Sequence, residues 1–124
     1  STSEPVSITV SHAMFIINDR SPIPEIAFEI KRLRGLLNDL DRARIGQHPN
    51  RQTIGDAPLL ENWEIAYRPE PCIVGTMRGH PTVEDGHTGM TSGVWLVAPA
   101  FGYARTLSRI YALGRPAQGR TNLS

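Results

Sequence analysis

The chain is nearly without lysine. Of its thirteen basic residues only Lys31 is not arginine. Guanidinium forks match phosphate and carboxylate better than ammonium groups do, although an arginine-favouring genome would leave the same bias. Acid is missing from the end: beyond Asp85 there is none, while Arg105, Arg109, Arg115 and Arg120 remain. The single cysteine, Cys72, excludes an internal disulfide and fits a reducing compartment. No apolar run is longer than Ala13–Ile17, against the roughly 20 residues a membrane-spanning helix needs and the longer core of a secretory leader. A cytoplasmic protein with no membrane contact is expected. No Gly-x-x-x-x-Gly-Lys, Gly-x-Gly-x-x-Gly or Gly-x-Ser-x-Gly occurs, so phosphate-loop, dinucleotide and nucleophile-elbow chemistries are unsupported. No cofactor is expected.

What is there suffices for one domain. The 124 residues, 40% hydrophobic and 20% charged, fall in the ordinary globular range. Val6, Ile8 and Val10 alternate with polar residues before Met14–Ile17, which predicts a strand or an arm ordered on a partner. From Pro24 to about Ile45 the pattern is helical. Pro24, Glu25 and Glu29 suit the start, Arg42 and Arg44 the end, and Gly46 the stop. Ile23, Ile26, Ile30, Leu33, Leu37 and Leu40 recur every three or four residues. Such a stripe either packs on the body of the domain, the reading that Phe28 and Leu36 favour by widening it, or seats a second copy.

Gln47–Asn62 reads as a surface connection whose Leu59 and Leu60 fall onto the core. Trp63, Ile65 and Tyr67 alternate as the inward face of a strand. Cys72–Arg78 is a second strand with a bulge at Gly75, Asp85-Gly86 a turn, and Thr91–Val97 a central strand. Over Tyr103–Leu113 the periodicity slightly favours a helix. The expected fold is α+β: a long N-terminal helix packed on a small, twisted antiparallel sheet or open barrel. The domain covers 21–116, with an arm or strand at 1–20 and a loose tail at 117–124.

Four segments together look familiar. They are Asp56-Ala57-Pro58-Leu59-Leu60-x-Asn62-Trp63, Cys72-x-Val74-Gly75-x-x-x-Gly79-His80-Pro81, Thr91-Ser92-x-x-Trp95, and Ala104-Arg105-Thr106-Leu107-Ser108-Arg109-x-Tyr111-x-Leu113-Gly114. In these the chain resembles an uncharacterised family of small, often plasmid-borne proteins of rhizobia and related alphaproteobacteria, a domain of unknown function. The resemblance spans roughly 22–116 and implies no activity. Related small domains of similar rhythm look like meandering antiparallel strands, which implies β structure for Tyr103–Leu113.

Several constellations carry side chains capable of chemistry. His80, Asp85 and His87 are close in sequence, with His12, His48 and Cys72 elsewhere, but the spacing fits no known metal site and none is expected. His80 with Ser92 or Cys72 would make a nucleophile pair only if the fold joined them. Arg105, Thr106, Ser108 and Arg109 interleave with Tyr103 and Tyr111, the groups that hold phosphates and stack bases; the plain alternative is that the rings are core and the arginines pair with Glu64, Glu84 or Asp85. The preferred reading is a non-catalytic binding or adaptor module. It associates with a protein partner or itself through the helix or the N-terminal arm, and Arg78, His80, Thr91, Ser92, Arg105, Thr106, Ser108 and Arg109 form its polar surface. A small DNA- or RNA-binding regulator is the alternative, and an enzyme using His80 comes third.

Overall fold

The computed structural model describes residues 12–117. The alternating Val6–Val10 segment and most of the expected tail lie outside the described residues. Within them the fold mixes helix and sheet, and it divides into two units. One is Pro22–Tyr67, and the chain on either side of it forms the other.

The helical unit holds α1, Glu25–Arg44, and α2, Arg51–Asp56. The ends of α1 follow from its sequence. Glu25 stands in the first turn and Arg42 and Arg44 in the last, where the helix dipole favours each sign. Gly46 takes φ of 81°, its N–H reaches the Ala43 carbonyl at 3.0 Å, and the Gln47 N–H reaches Arg42 at 2.9 Å. This double closure is the Schellman ending that a left-handed glycine permits. Ile23 precedes the helix but joins it, because its carbonyl accepts the Ile26 N–H at 3.1 Å. The connection expected over Gln47–Asn62 contains a helix that composition did not suggest. Asn50 starts α2 by accepting the Thr53 N–H at 2.8 Å.

The helical unit has no apolar core of its own. Glu29, held by Arg32 at 3.4 Å, is its one buried residue. Phe28, Leu36, Leu37 and Leu40 are all more than half exposed. Leu59 and Leu60 do not reach a core either, each being about four-fifths exposed. The strand expected at Trp63–Arg68 is absent. Residues 58–73 carry no regular structure, and Trp63, Ile65 and Tyr67 are exposed. Alternation specifies an extended chain but supplies no neighbouring ladder, and Pro69 and Pro71 lack the N–H that a central strand donates.

The other unit is built on a four-stranded sheet in the order β1-β4-β5-β6, with a separate β2-β3 pair. The strands are β1 Phe15–Ile16, β2 Val74–Thr76, β3 Thr88–Met90, β4 Val94–Ala98, β5 Tyr103–Thr106 and β6 Ile110–Ala112. The sheet is not purely antiparallel as expected, since β1 runs parallel to β4, and it is not a closed barrel. β4 is central, as its two-sided apolar run implied. The segment 103–113 is a hairpin and not the helix its periodicity favoured. Gly102 turns into it at φ of 75°, and cross-strand pairing outweighs a weak helical spacing.

Val94, Val97, Ala98 and Ala104 are the buried apolar residues, with Ile73 and Leu113 against them. A register shift lies between Val94 and Leu96. The bulge is thus at Trp95, whereas Gly75 pairs in plain register with Gly89. An extra residue there lets Val94 and Val97 face the same side, which strict alternation would forbid. Burying each valine contributes about 1.5–3 kcal/mol.

Candidate functional site

Four hydroxyls expected on the recognition surface are used by the fold. Thr91 Oγ1 accepts the Ile73 N–H at 3.0 Å and donates to the Ser92 carbonyl at 2.7 Å. Ser92 and Ser108 hydroxyls bond each other at 2.9 Å, and Ser92 Oγ also accepts the Ser108 N–H. Thr106 is 1% exposed. Its hydroxyl donates to the Arg109 carbonyl at 3.1 Å and accepts the N–H groups of Ser108 and Arg109 at 3.2 Å each. These bonds stitch the β5–β6 turn, and the Leu107 N–H ties it to Gly93 at 2.7 Å. The hydroxyls of Ser92, Thr106 and Ser108 therefore hold the turn that carries Arg109, while that of Thr91 ties Ile73 to Ser92.

Arg78, His80 and Arg109 are brought together. They line a cleft of about 330 Å³ with Thr76, Gly79 and Tyr111. Two loops build it. One is the β2–β3 loop, where Gly79 takes φ of 72° and donates its N–H to Asp85 Oδ1 at 2.8 Å. Asp85-Gly86 closes that loop with Gly86 at φ of 86°, the conformation expected of the pair. The other is the stitched β5–β6 turn. His80 Nδ1 accepts the N–H groups of Thr82 and Val83 at 3.1 and 3.2 Å. That pattern assigns its ring proton to Nε2. The ring stacks on Tyr111 at 6.1 Å and 20°.

The arginines lack the acidic partners that were the plain alternative. Among the described residues no carboxylate lies within 4 Å of Arg78, Arg105 or Arg109. Glu84 turns to His87 at 3.4 Å and Asp85 to the Gly79 backbone. Arg109 Nε is shut from solvent with no hydrogen-bond partner, a state that buried donors rarely keep. Arg105 sits apart from the cleft. On β5 it alternates with buried Ala104 and Thr106 and is exposed, as the two-residue period of a strand requires.

The structure does not join His80 to either suggested nucleophile. Ser92 is bonded to Ser108, and Cys72 is a free, exposed thiol. Among the described residues no three His, Cys, Asp or Glu side chains gather as metal ligands.

A second polar cluster had no signal in the sequence. The His12 ring stacks flat on Trp95, 3.6 Å between centroids and 2° between planes. His12 Nε2 lies 3.8 Å from Glu70 Oε1, and neither it nor Trp95 Nε1 has a hydrogen-bond partner. Gly93 makes the room, because a Cβ there would collide with the Glu70 carboxylate and come within 2.8 Å of His12 Nε2. These residues are scattered over eighty positions and only the tertiary fold assembles them. No protein-family model, no curated protein and no solved structure matches this chain.

Proposed function

We propose that the protein is a non-catalytic binding module that self-associates through α1. One observation carries this reading: a 20-residue helix displays Ile30, Leu33, Leu36, Leu37 and Leu40 at 37–63% exposure. Contiguous apolar surface of this kind marks an interaction site. A second copy of α1 is the occupant argued for. The 3-4 spacing lets two such helices interlock in parallel register. Only about two and a half heptads are present, short of the three or four that mark a free-standing coiled coil, so the dimer is weak.

The finer parts of the reading travel with this one. The helix–sheet packing anticipated from stripe width competes with the dimer for the same face. The exposed Cys72 thiol supports work in a reducing, cytoplasmic setting. Kinship with the small alphaproteobacterial family is proposed on the Gly79-His80-Pro81 and Tyr111-x-Leu113-Gly114 segments, and it brings no activity. No helix among the described residues is long and apolar enough to cross a membrane. Light scattering over a concentration series tests the proposal. A mass rising toward twice the 13.7 kDa of the chain is expected, and a constant monomer mass up to the solubility limit removes it.

A further inference from the structure

We propose that the Arg78–Arg109 cleft binds a phosphate group. The cleft's charged side chains are of one sign. Arg78 and Arg109 line it from two different loops, and among the described residues neither has a carboxylate within 4 Å. His80 adds a ring whose Nδ1 is already engaged by two backbone N–H groups, leaving Nε2–H as its donor. Guanidinium groups answer best to an oxyanion that accepts two parallel N–H bonds. Among the described residues no acceptor bonds the Arg109 guanidinium; its Nε is shut from solvent, so anion oxygens would meet its terminal amino groups.

The geometry is prepared rather than incidental. Arg109 follows a turn held by Thr106, Ser92 and Ser108, and Arg78 precedes a left-handed glycine pinned by Asp85. A preorganised pair of cations spends less order on capture than two free side chains would. About 330 Å³ is at the small end of ligand clefts, room for one phosphate with a modest substituent. The Tyr111–His80 stack forms one apolar wall against which a planar substituent can lie. The phosphate could be carried by a small monoester or by a single-stranded nucleic acid, and the probe decides which.

The experiment is a titration of the full chain with inorganic phosphate and with a short single-stranded oligonucleotide, followed by amide NMR. Saturable phosphate binding is expected, with shifts centred on Gly79 and Arg109. Arg109→Gln and Arg78→Gln should each weaken it at least tenfold, while Arg105→Gln leaves it unchanged. Arg78 is on an exposed loop, so its variant keeps the test open if Arg109→Gln folds poorly. Oligonucleotide binding that vanishes in the same two variants and falls steeply between about 50 and 200 mM salt would assign the phosphate to nucleic acid. Phosphate binding without it would assign a small ligand. No saturation with either probe, or equal loss in Arg105→Gln, overturns the proposal. Self-association through α1 is unaffected by any of these outcomes.

Discussion

Thr106 offers a way to separate stability from site geometry. Among the described residues its hydroxyl is the only partner of the Arg109 N–H, whereas the Ser108 N–H keeps Ser92 Oγ and the Arg109 carbonyl keeps the Thr106 N–H at 2.9 Å. Thr106→Val therefore orphans one part-buried donor, at a cost of about 1–3 kcal/mol, and buries one extra methyl, offsetting about 0.8 kcal/mol. The net loss is roughly 1 kcal/mol. Thr106→Ser keeps every hydrogen bond and removes a buried methyl, again about 1 kcal/mol. Urea unfolding, followed by Trp95 emission in a Trp63→Phe background, should give both variants a similar midpoint, lower by roughly 0.5 M for a slope near 2 kcal/mol/M. They part at the turn. In Thr106→Val the Arg109 amide should exchange faster than in the wild type by more than the global loss explains, and phosphate affinity should fall. Thr106→Ser should keep both in step with global stability. If the valine variant keeps wild-type Arg109 exchange, the stitched turn does not position the arginine and the reasoning fails.

Three further outcomes follow from the packing. Val94→Ala removes two methyls from a fully buried site at the centre of the sheet and should cost about 2–3 kcal/mol, measured by the same unfolding; a loss under about 0.5 kcal/mol would mean β4 is not the core. Gly93→Ala should drive the Glu70 carboxylate aside and tilt the His12 ring off Trp95, changing Trp95 emission, and an unchanged spectrum would refute the close packing. Asp19 accepts the Ser21 N–H, which holds its carboxyl below the ordinary value of 3.8. A lowered folded-state value stabilises above the unfolded one and is lost as pH falls through it, so the Ser21 amide shift should follow a titration whose midpoint lies below the ordinary value of 3.8, and a midpoint above it would contradict the bond.

The helix was legible because its signals are local. Glu25, Arg42, Arg44 and Gly46 each act within one turn, and each stands where the sequence placed it. Asp85-Gly86 was legible for the same reason. Strand partners were not, because pairing is a relation between distant segments. Trp63–Tyr67 has a strand's alternation without a ladder, while Phe15–Ile16 pairs with Leu96–Val97 across eighty positions. The cleft was half legible: Arg78, His80 and Arg109 were named from residue type, but not that they meet. Tyr111 was expected as a ring on which bases stack; what the fold places beside it is His80. The internal bonds of the hydroxyls were not legible, because Ser and Thr bond their own backbone as readily as a phosphate, and the sequence does not say which. Arg105 was grouped with Arg109 by proximity, yet the strand pleat turns it elsewhere.

The exposed stripe of α1 remains the feature on which the functional account turns. Sedimentation equilibrium of the wild type beside Leu33→Glu/Leu37→Glu, with far-ultraviolet circular dichroism to check that α1 persists, tests it most directly. A wild type in monomer–dimer exchange and a purely monomeric, equally helical variant is the predicted result. A wild type that stays monomeric throughout, or a variant that dimerises just as well, would contradict it.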